Sequence, residues 1–254
     1  MINTSIARLE SSTGPYLFAR YAYAPNLLGY CGPHDAKLLT HLMEESTPPL
    51  GELASVVHQF DGAYPYLELI AAASGYHPLD QPVVEAYWTG NSLLGEVDTL
   101  LWGNSLDDRF RRRAGREWTT VEQAILFGGL PTHAFHVFCV YPWVGLLRSG
   151  AESPALEVLD RCRISWGVVV GTSNGEAMVR SRRLQWDEGQ LGPAAATIDR
   201  FRLPSGLGRI DTGDTVSLHW DTVCERLGSD RLAALRRYHD GHLAIANTGS
   251  LPII

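Results

Sequence analysis

The sequence predicts an α+β protein: an irregular helical domain over residues 1–152, then a small β-barrel with a C-terminal helix over residues 153–254. Three observations carry that reading. Apolar residues in the first half recur three and four apart, the period of helices packed on one face. An Asn-Gly pair, Asn174-Gly175, then separates two strand-like runs and marks a tight hairpin. Four or five strand candidates follow within roughly 65 residues, enough for a small barrel.

Taken in chain order, "HDAKLLTHLMEE", "GELASVVHQF", "YPYLELIAAASG" and "PVVEAYWTGNSLLGEV" each show helical spacing. The stretches "SGYHP", "GN" and "GGLP" supply stops, because glycine or asparagine can end a helix and proline prevents its continuation. "SPALEVLD" reads as a short helix with Ser153 as cap and Pro154 in its first turn. "CRISWGVVVG" and "EAMVRSRRLQW" form the hairpin, which sets Cys162 at the start of a strand. "AAATIDRFRL" and "DTVSLHW" are further strands, and "SDRLAALRRYHDGHLAIAN", capped by Ser229 or Asp230, closes the chain as a helix.

Composition bounds the function. At 254 residues with 45% hydrophobic and 19% charged residues, the chain has the makeup of an ordinary globular protein. Its longest apolar runs fall short of the roughly 20 residues of a membrane span, and its first residues lack a secretory pattern, so a cytoplasmic location is expected. Four cysteines without a CxxC pair suggest reduced thiols. A net charge of -7 argues against nucleic acid as the main partner, and the basic run "RFRRRAGR" reads as a solvated helix face.

Three clusters can carry chemistry. "GYCGPHD" holds Cys31 and His34 at a sharp Gly-Pro turn, where they can serve as ligands or where His34-Asp35 can simply cap the next helix. "PTHAFHVFCVYPW" places His133 and His136 on one face of a helix with Cys139 a further step round; Pro142 ends that helix near Val140. Two imidazoles and a thiolate suit a transition metal, to which Glu85 or Glu68 can add a carboxylate. The bland alternative is a pair of hydrogen-bonded core histidines. The third cluster pairs Cys162 with His219: if the strands close into a barrel, the first and a late strand become neighbours, and both side chains can face one ligand.

The run from Cys162 through Trp166 and Gly167, the later "GDTVSLH" ending at His219, and the following helix resemble the small HypC/HupF-type [NiFe]-hydrogenase assembly chaperones over about residues 160–245. The resemblance implies an OB-like barrel in which Cys162 takes the place of the family's iron-handling cysteine, Gly167 that of its turn glycine and His219 that of its late-strand histidine. Trp166 stands where that family has proline, and Cys162 follows some 160 residues where the family cysteine adjoins the N-terminus. The whole chain resembles an uncharacterised family of bacterial proteins of about this length.

The leading expectation is therefore an accessory protein for a metalloenzyme, foremost in [NiFe]-hydrogenase maturation. The barrel docks an enzyme subunit or maturation scaffold through Cys162, Trp166 and Gly167, and Cys162 with His219 handles iron or an iron-bound ligand. One alternative is a metal-dependent enzyme built in the helical half on His133 and His136 with Cys31, His34 or Glu85. Another is a metal-free adaptor that uses its aromatic residues for docking.

Overall fold

The computed structural model describes residues 14–34, 37–43, 49–114, 118–150 and 152–248. The helical half runs α1 (Gly14–Leu27), α2 (Lys37–Met43), α3 (Leu50–Val57), α4 (Tyr64–Ser74), α5 (Gln81–Trp88), a 3-10 turn (Ser92–Glu96), α6 (Thr99–Ala114) and α7 (Trp118–Leu126). Next come α8 (His133–Phe135), extended by a π-turn (His136–Val140), then α9 (Trp143–Arg148) and α10 (Glu152–Cys162). Five strands follow, β1 (Ser165–Ser173), β2 (Glu176–Asp187), β3 (Gln190–Arg202), β4 (Thr215–His219) and β5 (Thr222–Arg226), before the final helix α11 (Ser229–Thr248).

Helix α1 is central. Tyr16, Leu17, Phe18, Tyr21, Ala22 and Tyr23 are all buried, so it is enclosed on every side. Such a helix has no polar stripe, and its sequence shows no amphipathic period for that reason. Its first residue passes so close to the turn before α5 that a Cβ on Gly14 would lie 2.0 Å from the Leu79 carbonyl oxygen. The helix stops act as expected: α4 ends at Gly75 in the left-handed conformation, with φ +73°.

The strands close into a ring in the order β1-β2-β3-β5-β4. Asn174 and Gly175, with φ of 51° and 75°, make the β1–β2 hairpin turn. Closure between β3 and β5 rests on a single parallel pair, Arg202 with Thr222, so the OB-like unit is a ring rather than a regular barrel. Val169, Val179, Phe201, Val216, Leu218 and Val223 fill its interior. A larger core outside it runs without a break from α1 through Trp220 and Cys224 to α11, so the ring and the helices share one apolar interior.

Two details of the join bear on function. Cys162 is the last residue of α10, not the first of a strand. Ala155, Leu159 and Cys162, four and three apart and all buried, continue one helical face past the point where the strand pattern predicts a switch to β. The β4–β5 turn is made by Trp220 and Asp221, both at positive φ (47° and 59°), where glycine or asparagine is usual. That turn is anchored to the end of α10: Trp220 N–H donates to the Arg161 carbonyl at 2.9 Å, and the Arg161 guanidinium meets the Asp221 carboxylate at 2.6 Å.

Candidate metal centre at the join of helices and ring

The antiparallel register of β1 and β4 sets Ser165 opposite Leu218. The end of α10 just before β1 therefore lies beside the end of β4, and Cys162 meets His219. From the helical half, α8 brings His133. Donor atoms of His133, Cys162 and His219 all lie within 4.8 Å of one another. The two imidazole rings stand nearly perpendicular with centroids 5.1 Å apart.

Hydrogen bonds fix the proton on each ring. His219 Nδ1–H donates to the Tyr21 carbonyl at 2.7 Å, which leaves the lone pair on Nε2. That Nε2 is buried and makes no hydrogen bond of normal geometry; the Cys162 carbonyl, which also acts on this ring, lies outside that geometry. His133 Nε2–H donates to the Cys162 carbonyl at 2.8 Å, so its lone pair lies on Nδ1, 3.4 Å from the Tyr87 hydroxyl. Backbone carbonyls that hold one ring nitrogen while the other stays basic are the usual support of a metal-binding histidine.

Burial makes all three groups neutral in the free protein. It lowers His133 to about 4, and burial reinforced by the neighbouring His133 lowers His219 to about 3. Both imidazoles are thus unprotonated at neutral pH and ready to act as ligands. The Cys162 thiol is pushed up to about 12 by burial, with Cys31 adding to the rise and the Trp220 indole opposing it. A cation between these groups reverses that balance, because a coordinated thiol loses its proton.

The donors line a cavity of about 150 Å³ with Cys31, Trp88, His136, Tyr141 and Trp220. The indole N–H of Trp88 is buried without a partner, and that of Trp220 faces the Cys162 sulfur. Tyr30, half exposed, stacks on Trp220 with centroids 4.1 Å apart and covers one side. Soft sulfur and imidazole nitrogen in this set fit iron, zinc or copper better than magnesium or calcium. The unpartnered His219 Nε2 is the observation that tests this fit, since a buried imidazole nitrogen without a donor is costly unless something binds it.

The structure redistributes the residues singled out in the sequence. His133 leaves its sequence neighbours and joins Cys162 and His219. The π-turn that starts at His136 breaks the three-residue phase, so Cys139 lines a separate cavity of about 390 Å³ under α7, α9 and α11. His136 borders both cavities, and its Nδ1 is held by the Tyr66 hydroxyl at 2.7 Å. His34 is exposed and does not line the centre; Asp35 lies outside the described residues. Glu85 is turned away to Gln81 and Arg231, because a half-buried carboxylate takes the nearest cation, and Glu68 is exposed. Trp166 packs edge-on against His239, and Gly167 is buried where a Cβ would lie 2.5 Å from the Val179 side chain. Sequence reasoning missed Tyr21, Trp88 and Trp220. The tight "HWDT" turn between two apolar runs is the one local signal that could have marked Trp220.

Fold and site together define an α+β protein with a buried two-imidazole, one-thiol centre where a helical half meets a five-stranded ring. The chain belongs to DUF6390, a family of unknown function whose model matches residues 10–251. No curated protein and no solved structure matches it. No helix among the described residues is long and apolar enough to cross a membrane.

Proposed function

We propose that this protein is an accessory protein of metalloenzyme assembly, foremost of [NiFe]-hydrogenase maturation, and that it holds iron at His133, Cys162 and His219. The observation that carries the reading is the meeting of these three donors, one of them a buried imidazole nitrogen with no partner. Cys162 and His219 also occupy the positions that the resemblance to HypC/HupF-type chaperones picks out, and the strands close into a small ring. His133 is the addition made by the helical half. Bound iron supplies a Lewis-acidic centre to which further small ligands can attach. Tyr21 and the Cys162 carbonyl orient the imidazoles, and mostly apolar side chains wall the site. Proteins of the enzyme being assembled, a subunit or a scaffold, would be the partners.

Elemental analysis and infrared spectroscopy of anaerobically purified protein test this. Iron with bands in the cyanide and carbonyl stretching region, both lost in Cys162→Ser with the circular dichroism unchanged, is expected. Normal hydrogenase maturation in cells that carry only the Cys162→Ser protein would sink the maturation role.

One observation favours a second reading, a metal-dependent enzyme. The cavity beside His133 and His136 has room for a small molecule and offers the unpartnered Trp88 indole N–H as a donor. Turnover that survives without any partner protein and stops in His133→Ala would favour it.

A further inference from the structure

A divalent metal held by two neutral imidazoles and one thiolate keeps a net positive charge, and that charge would be buried. An uncompensated buried charge is costly, and proteins neutralise it with a nearby anion. The described residues that line this cavity include no Asp or Glu. Tyr87 and Tyr141 also line it, and burial keeps both phenols protonated. One further soft group remains, Cys31.

Cys31 is not among the three donors that already lie within 4.8 Å of one another, yet it borders the same space. Its thiol adds to the rise of the Cys162 thiol, and burial pushes Cys31 up to about 12 as well. The loop that carries it follows α1 and is flanked by Gly29 and Gly32, both at positive φ. The Asn26 side chain pins the loop by donating to the Cys31 and Pro33 carbonyls, each at 2.8 Å. These bonds hold the backbone and do not engage the sulfur. His136 is the other candidate in the cavity, but a neutral imidazole adds no negative charge to offset that of the metal.

We propose that Cys31 is the fourth protein ligand of the centre, so that the metal-loaded site has two sulfurs and two nitrogens and is drawn equally from the loop after α1, α8, the end of α10 and β4. The inference rests on the reading of His133, Cys162 and His219 as a metal site. On loading, both thiols lose their protons to solvent and the two thiolates cancel the charge of a dication. The helices and the loop after α1 then supply three of the four ligands, and the ring supplies His219.

The test uses the full chain with cobalt(II) and zinc(II) as probes. Sulfur-to-cobalt charge-transfer absorption grows with the number of coordinated thiolates. Cys31→Ser and Cys162→Ser are each expected to lose about half of it, while Cys139→Ser keeps it. Zinc-edge X-ray absorption of the unaltered protein reads the sulfur count without any variant, and two sulfurs at about 2.3 Å are expected. One sulfur there, with Cys31→Ser cobalt protein unchanged, would overturn the assignment of Cys31 while leaving the three-residue centre intact. Failure of the unaltered protein to bind either ion would overturn both.

Discussion

Among the described residues five histidines are buried, and two pairs of them, His239 with His242 and His133 with His219, differ in how their ring nitrogens are engaged. On α11, His239 and His242 have every ring nitrogen engaged. His242 Nε2 accepts from Leu130 N–H at 3.0 Å and its Nδ1 meets the Thr132 hydroxyl at 3.3 Å. His239 Nε2 accepts from Arg163 at 3.2 Å and its Nδ1 donates to Asp240 at 2.9 Å. In the other pair, His219 keeps an unpartnered Nε2 beside His133 and Cys162. Burial lowers the imidazole pKa in both pairs, so neither burial nor a shifted pKa separates a structural histidine from a ligand. The unfilled hydrogen bond does. The satisfied pair also serves the open one: Thr132, held by His242, accepts from Phe135 N–H at 3.1 Å and caps the short helix that presents His133.

The largest expected effect breaks the open pair. His219→Ala or Cys162→Ser should weaken metal binding by more than the roughly 10–100-fold that loss of an outer support costs. Competition with a chromogenic chelator measures this, and unchanged retention of metal in either variant would place the ion elsewhere. His242→Ala should do the reverse, with metal stoichiometry kept and stability lowered by roughly 1–3 kcal/mol as Leu130 N–H loses its acceptor.

An effect of similar size concerns acid. His242 lies at about 4 in the folded protein, below its ordinary 6.5, so the unfolded chain takes up the proton first. Its contribution is therefore intact above pH 6.5 and is lost as pH falls toward 4, a change of about 3 kcal/mol. Denaturant titrations of metal-free protein at several pH values should show that slope together with the parallel ones of His133 and His219, and His242→Gln should remove only its own share.

Next comes the loop of Cys31. A Cβ on Gly32 would lie 2.3 Å from the Phe60 ring at a backbone φ of +79°. Gly32→Ala should displace the loop and lower metal affinity by about tenfold, worth ~1.4 kcal/mol, with only a modest shift in melting temperature. The smallest effect is a control. Glu85→Gln removes the contact with Arg231 and should leave metal binding unchanged; a drop would bring Glu85 back to the centre.

Much of the fold was legible because local patterns agreed with tertiary demands. The Asn174-Gly175 turn needs two left-handed residues, and the amphipathic α3 and α10 show one apolar stripe each. Helix α1 was not legible: "GPYLFARYAYAPNL" is apolar on all faces, since it lies inside the protein. The pairing of Cys162 with His219 could be anticipated from ring closure, because a neighbouring β1 and β4 bring a residue before one strand to the end of the other. The place of His133 could not. Read as a regular helix, its segment ties it to His136 and Cys139, and the π-turn that separates them depends on the contacts of Tyr66, Tyr141 and Pro142.

The sequence by itself determined the α+β class, the hairpin, the closing helix and a short inventory of sulfur and imidazole donors, all of which depend on residues within a few positions of one another. Only the tertiary structure decided which donors share a cavity and which nitrogen is left without a partner. Those facts depend on α8, the end of α10 and β4 converging across distances of 29 to 86 residues, read as the intervals 133–162 and 133–219. No local periodicity encodes such convergence; it follows from how the apolar faces of the helices and the ring fit against each other.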